Sequence, residues 1–151
     1  MLLRICSVGL ALLLTLAAHI DAKGQTNTKT MRDDKGKCTA SVPATMTVIM
    51  PWMAKGPGDP LMVMIDYDGN PYKVLSAAEI NENHYSQALE NSATRQILEK
   101  AANAPGAPAG QRVFHVYVPA PVGSCHLSIS IKAPGNEATV KQIAATLAPV
   151  K

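Results

Sequence analysis

The segment VGSCHLSIS, residues 122–130, places Cys125 beside His126 and is the first candidate for chemistry. Such a pair could hold a metal, act as a nucleophile with its base, or contribute one half of a disulfide. The segment alternates apolar and polar residues as a β-strand does, so neighbouring side chains point to opposite faces. Cys125 therefore shares the apolar face with Leu127 and Ile129, whereas His126 is expected at the surface among serines.

Cys38 is the partner that the pattern favours for Cys125. In the segment CTASVP, Cys38 falls with Ala40 and Val42 on the apolar face of a second strand. Of the three cysteines, Cys6 belongs to the N-terminal apolar run, which leaves two in the rest of the chain. Two inward cysteines in an exported chain predict a Cys38–Cys125 disulfide. The alternative is a pair of buried free thiols.

Clustered methionines are the second candidate for chemistry. Within the segment 46–64 the chain has five of them, and the candidates for a metal site are Met46, Met50, Met62 and Met64. Thioether sulfur is a soft ligand that suits Cu(I). Their strand-like spacing fits core packing equally well, because methionine fills irregular gaps. Core packing is the favoured interpretation, and copper handling or a deformable partner groove are the alternatives.

An incomplete calcium-loop pattern begins at Asp66. Asp66, Asp68 and Asn70 occupy positions 1, 3 and 5 of such a loop, but Pro71 and Ala77 stand where glycine and glutamate are required. We therefore expect a turn through the DG dipeptide rather than a calcium site.

Signatures of known enzyme classes are missing from the sequence. It contains no G-x-S-x-G around a serine and no H-E-x-x-H. Asp59, Asp66 and Asp68 could supply an acid pair for glycoside cleavage, but so could any acidic loop. We therefore expect no enzymatic activity, no catalytic residue and no cofactor, with a small hydrolase as the least favoured alternative.

The N-terminal segment MLLRICSVGLALLLTLAAHIDA is predicted to be a signal peptide, residues 1–22. Arg4 precedes the uncharged run 5–18, which is shorter than the roughly 20 residues that span a bilayer. Cleavage is expected after Ala22, with a cut near 17–18 or an uncleaved anchor as alternatives. A secreted or periplasmic location follows, with no membrane association after cleavage.

Charge and aromatic content argue against nucleic-acid binding. The net charge is only +3, and the basic residues are scattered rather than clustered. One phenylalanine and one tryptophan offer no platform on which bases could stack.

Hydrophobic patterning predicts an α+β fold in one globular domain, residues 38–151, preceded by a flexible polar tail, residues 23–37. Ser76 and Glu79 form a capping box, and a stripe of residues four apart then predicts one long central helix over 77–102, with a possible break at 91–92. A C-terminal helix capped by Asn136 should cover 137–147. The other apolar segments predict an antiparallel sheet.

Two segments resemble the PsbP-like family. One is KCTASVPATMTV, which is similar to the first strand of that family, and the other is NEATVKQIAATLAPV after a pair of strands. The resemblance covers roughly residues 37–150 by element order. It implies an antiparallel sheet between helices, that is, an α/β/α sandwich, and it implies no shared activity, since such proteins mostly act as binding or assembly factors.

Taken together, these features predict a small exported binding or interaction module whose partner is an unknown protein or small ligand. A methionine-based copper-handling protein is the alternative function.

Overall fold

The structure is a computed structural model that describes residues 27–151. The predicted signal peptide, residues 1–22, and the first part of the predicted tail, residues 23–26, lie outside the described residues. Between residues 27 and 151, no helix is both long enough and apolar enough to cross a membrane.

The described residues form ten strands and two short helices. The strands are β1 (Thr28–Arg32), β2 (Cys38–Pro43), β3 (Thr47–Met50), β4 (Met53–Lys55), β5 (Met62–Asp68), β6 (Tyr85–Asn91), β7 (Gln96–Lys100), β8 (Gln111–Pro119), β9 (Ser124–Lys132) and β10 (Ala148–Pro149). The helices are α1 (Ala77–Glu82) and α2 (Glu137–Ala144). Seven strands form an antiparallel sheet in the order β3-β4-β5-β9-β8-β7-β6, and three form a second antiparallel sheet in the order β1-β2-β10.

The seven-stranded sheet has two chemically different faces. Its inner face carries Val63, Val116 and Leu127, which belong to one core together with Val42 of β2 and Val140 of α2. The small sheet and α2 therefore cover the inner face. The opposite side of the same strands, called here the outer face, carries mainly polar, aromatic and methionine side chains.

Strand β9 shows how the sequence produces these two faces. Cys125, Leu127 and Ile129 are fully buried on the inner face, whereas His126 and Ser128 lie on the outer face and are half-buried. Because side chains alternate along a strand, a period-two pattern assigns each residue to a face without reference to the rest of the fold. The predicted inward direction of Cys125 is confirmed.

The predicted pairing of the two cysteines is confirmed. The Cys38 and Cys125 sulfur atoms are 2.03 Å apart, with the Cα atoms 5.7 Å apart, inside the range of about 4.4–6.8 Å that a disulfide requires. Both residues are fully buried. The bond joins β2 of the small sheet to β9 of the large sheet and so links the two layers covalently.

The predicted α+β fold with one long central helix is wrong. The helix α1 ends at Glu82, and most of the rest of the predicted helical segment forms the antiparallel strands β6 and β7. The described part of the chain is mostly β, so it is not the α/β/α sandwich that the family resemblance implied. The capping box is present, because the Ser76 hydroxyl accepts from the Glu79 amide and the Glu79 carboxylate accepts from the Ser76 amide.

The chain departs from the predicted helix at two points, one before β6 and one between β6 and β7. His84 has φ 59°, a left-handed conformation that a continuing α-helix does not permit. Between β6 and β7, the Ser92 hydroxyl accepts from the Arg95 amide, and the Ser92 amide donates to the Arg95 carbonyl. Strand β7 then pairs with β8. Long-range pairing therefore outweighs the helical spacing of the apolar residues, which is only a local preference.

The polar segment 23–37 was expected to be flexible, and the structure differs from this expectation in its described part. Residues 28–32 form β1, which pairs antiparallel with β2. Met31 is 1% exposed within the core. The buried Met31 side chain and the pairing with β2 therefore anchor this strand.

The C-terminal helix is confirmed, although it is shorter than predicted. The Asn136 side chain caps α2 by accepting from the Ala138 amide, and the buried Val140 and Ile143 face the core. The helix ends at Ala144, three residues before the predicted end, and Pro149 belongs to β10.

Arg112 connects α2 to the large sheet. Its guanidinium donates to the Glu99 carboxylate of β7 at 2.6 and 2.9 Å and to the Glu137 carboxylate of α2 at 2.6 Å. It also lies over the ring of Phe114, 5.1 Å from the ring centroid. Hydrogen bonding to Arg112 lowers the pKa of Glu99 despite the burial of that carboxyl group.

We expect Arg112→Met to lower the free energy of unfolding by about 2–3 kcal/mol, because it leaves the Glu99 carboxylate largely buried without its cation. Urea denaturation at neutral pH measures the change. Arg95→Met is the matched control. Its ion pair with Glu90 is more exposed, so its loss should cost less than about 1 kcal/mol. Equal effects of the two substitutions would contradict this prediction.

Candidate functional site

Four aromatic side chains lie together on the outer face of the large sheet, and we call them the tyrosine–histidine cluster: Tyr85, His115, Tyr117 and His126. The strands β8 and β9 bring three of them together, because Tyr117 and His126 are register partners and His115 is two residues before Tyr117. Tyr85 comes from β6, at the edge of the sheet.

The rings of the cluster contact one another in a continuous arrangement. His115 and His126 are parallel, with centroids 5.0 Å apart, and Tyr117 stacks on His126 at 4.6 Å. Tyr85 contacts His115 edge-on at 5.8 Å. The His115 Nδ1 and His126 Nε2 atoms are 2.8 Å apart, so one imidazole donates a hydrogen bond to the other.

Burial keeps the two histidines and the two tyrosines of the cluster uncharged at physiological pH. Burial lowers the pKa of both His115 and His126 to about 4, and for His115 the neighbouring His126 adds to the effect. The Asp68 carboxylate opposes it by raising the pKa of His126. Burial also raises the pKa of Tyr85 and of Tyr117. A hydrogen bond between two imidazoles requires at least one acceptor nitrogen, so the neutral pair keeps the bond and protonation of both rings would break it.

A cleft of about 210 Å³ opens beside the cluster. Tyr85 and Tyr117 form part of its wall, and Tyr72 from the segment between β5 and α1 contributes a third ring. Its polar lining includes Asp68, Lys73, Gln96 and Ser124. The cleft therefore combines aromatic surface with acidic, basic and uncharged hydrogen-bonding side chains, as binding sites for small molecules commonly do.

The wall of the cleft is held by side chains of the β6–β7 hairpin. Asn91 accepts from the Leu75 amide at 3.4 Å and donates to the Leu75 carbonyl at 2.7 Å, and Gln96 donates to Asn91 at 2.7 Å. The Tyr72 hydroxyl donates to the Ser92 carbonyl. These bonds fix the segment that carries Tyr72 against the end of the hairpin.

A glycine allows the chain next to Ser124 to pass close to the backbone of Asp68. Gly123, directly before Ser124, has φ 77°, and a Cβ atom there would lie 2.2 Å from the Asp68 carbonyl oxygen. Only glycine combines this backbone conformation with so close an approach. The Asp68 carboxylate accepts from the Asn70 amide at 2.8 Å, which is the turn that the sequence favoured over a calcium loop.

The methionines predicted as metal candidates do not form one group. Met46 is fully buried in the core, whereas Met50, Met62 and Met64 lie on β3 and β5 with partly or half-exposed side chains. Between residues 27 and 151, no group of three or more His, Cys, Asp or Glu residues is arranged to hold a metal ion.

The tyrosine–histidine cluster was not predicted from the sequence. His126 does lie opposite Cys125, as predicted, but it packs against other rings rather than standing free in water. The segment VFHVYV contains a usable signal, because alternation places His115 and Tyr117 on the face opposite Phe114. Because β8 and β9 form a hairpin, their polar faces lie on the same side of the sheet, which brings His115 and Tyr117 next to His126.

Comparison of the chain with protein-family models, with curated proteins and with solved structures finds no match. The resemblance to the PsbP-like family therefore stays a prediction.

Proposed function

We propose that the protein is a small exported binding module whose tyrosine-lined cleft takes a compact polar group about the size of one ring. The observation that carries the proposal is the convergence of Tyr72, Tyr85 and Tyr117, three of the four tyrosines in the sequence, on one cleft. Tyrosine supplies both an apolar ring face and a hydroxyl, a combination that favours binding surfaces.

The size and the lining of the cleft limit the ligand class. A volume of about 210 Å³ is below the roughly 300–1,000 Å³ of sites for drug-sized molecules. The ligand is therefore a ring-sized molecule, or a group of that size displayed by a larger partner. The Asp68 carboxylate offers hydrogen bonds to its polar edge, while the tyrosine rings contact its face.

The two histidines bond to each other and lie behind the residues that line the cleft, so we propose binding without catalysis. His115 and His126 direct one nitrogen each at the other, and burial favours their neutral forms at neutral pH. The two uncharged rings then support the cleft indirectly, because both stack against Tyr117. The proposal assigns no catalytic residue and no cofactor.

Export is supported by two features of different kinds. The disulfide between Cys38 and Cys125 is of the type that persists in oxidising compartments. Residues 1–22 have the charge and hydropathy pattern of a secretory signal. We therefore place the mature protein in the periplasm or outside the cell.

NMR titration with a panel of monosaccharides, amino acids and small aromatic acids tests the proposal. We expect one class to shift the resonances of Tyr72, Tyr85 and Tyr117. Tyr85→Leu should weaken its binding about tenfold, which corresponds to ~1.4 kcal/mol. Tyr67→Phe is the control, because Tyr67 lies in the inner core and donates to the Val122 carbonyl. The proposal is wrong if the panel leaves the cleft resonances unmoved at millimolar concentration.

A further inference from the structure

Three methionines lie in one row across the outer face, at the end of the sheet away from β6. Met50 of β3 is the register partner of Met53 of β4, and Met53 is the register partner of Met64 of β5. Register partners on antiparallel strands have Cβ atoms about 4.5–5.5 Å apart and point to the same face. We call these residues the methionine row.

Core packing does not account for the methionine row. On β4 and β5 the core positions are Ala54 and Val63, which are fully buried on the inner face. The row lies on the opposite face, where Met50 is 48% exposed. The next residue along the row is Ser128 of β9, a polar residue of the kind expected on such a face. Apolar side chains at three successive partners there call for another explanation.

The chemistry of the row is that of a soft-metal site. Each thioether sulfur is a soft, uncharged ligand, which selects Cu(I) over the hard cations that prefer oxygen. The methionine side chain has three rotatable bonds, so sulfurs on adjacent strands can turn toward a common point. The two-residue turn Pro51–Trp52 holds Met50 and Met53 as partners at the end of the β3–β4 hairpin.

We propose that Met50, Met53 and Met64 form a surface site that binds one Cu(I) ion. The ion is bound and released without a change of oxidation state, so the site requires no electron donor or acceptor. The proposal is independent of the function assigned to the tyrosine-lined cleft, which is formed by other residues.

The structure separates the row from the two other methionines that the sequence suggested as ligands. Met46 is fully buried in the core and has no access to an ion from solution. Met62 lies on the outer face, but its register partners are Lys55 and Ser130, and neither is a soft ligand. Met62 therefore provides a control on the same face as the row and on the same strand as Met64.

Anaerobic competition with the coloured bicinchoninate complex of Cu(I) tests the site. We expect the disulfide-intact protein to remove one equivalent of Cu(I) from the chelator. Met53→Leu should weaken binding at least about tenfold, the lower end of what loss of even an outer-shell partner causes at metal sites. Met62→Leu should leave the affinity unchanged. Both substitutions conserve volume, so thermal unfolding should confirm that each variant remains folded.

NMR with Ag(I), a diamagnetic substitute for Cu(I), identifies the ligands directly. We expect the methyl resonances of Met50, Met53 and Met64 to shift, while those of Met46 and Met62 stay in place. The proposal is overturned if the wild-type protein takes no Cu(I) from the chelator, if Met62→Leu weakens binding as much as Met53→Leu, or if Ag(I) shifts other methyl groups instead. None of these outcomes bears on the tyrosine-lined cleft.

Discussion

Loss of the Cys38–Cys125 disulfide should lower the free energy of unfolding by about 4–5 kcal/mol, because the bond closes a long loop. The two residues are 87 positions apart, and the chain-entropy cost of closing such a loop in the unfolded state gives this figure as an upper value. A small domain is stable by only about 5–15 kcal/mol in total. Reduction therefore removes a large share of the stability.

Chemical denaturation of the oxidised and reduced protein measures this effect. The double variant Cys38→Ala/Cys125→Ala should resemble the reduced protein, apart from the small volume removed from the core. Mass spectrometry with alkylation provides the control, because the folded oxidised protein should have no thiol to label at either position. Equal midpoints for oxidised and reduced protein would contradict the prediction.

Acidification from pH 7 to pH 5 should lower the free energy of unfolding by about 2–4 kcal/mol through His115 and His126. Each has a pKa of about 4 in the folded protein and an ordinary value of 6.5 when unfolded. Between these values the unfolded chain binds more protons, so stability falls as the pH falls. Each pH unit contributes about 1.4 kcal/mol per histidine, and the two effects are less than additive because the rings interact.

The histidine contribution can be separated from that of the carboxylates by its pH window. The pKa of Glu99 is lowered, so its contribution is complete above its unfolded pKa and is lost only as the pH falls through its folded value. Its window therefore lies below about pH 4.3. Urea denaturation across pH 5–7 isolates the histidines, and NMR titration of their ring protons gives each pKa.

Two variants test the assignment to the histidine pair. His115→Leu/His126→Leu should flatten the stability profile between pH 5 and 7. His84→Asn should leave the profile unchanged, because His84 is exposed and asparagine tolerates its left-handed backbone conformation. A profile that stays steep in the double variant would show that other groups cause the acid sensitivity.

The methionines show which part of a possible metal site can be predicted from the sequence. The clustering of five methionines is visible in the sequence, but their partners are not. Met46 is buried, whereas Met53, which was not among the predicted ligands, lies between Met50 and Met64 in the structure. The cleft was also unpredictable, because its tyrosines come from three separate segments of the chain.

The sequence by itself determined the features that depend on a few neighbouring residues. Alternation in CHLSIS assigned Cys125 to the core and His126 to the other face, and the capping residues Ser76 and Asn136 marked where helices begin. The disulfide followed from two inward cysteines. These signals are short-range, because a strand face or a helix cap depends on residues only a few positions apart in the sequence.

The tertiary structure alone decided which segments pair. Residues 85–100 have helical spacing, yet they form β6 and β7 because the edge of β8 offers a hydrogen-bonding partner that an isolated helix cannot use. The hydrogen bond between His115 and His126, and the methionine row, likewise exist only once the strands are in register. Strand pairing joins residues that are distant in sequence, so its free energy does not appear in any local pattern.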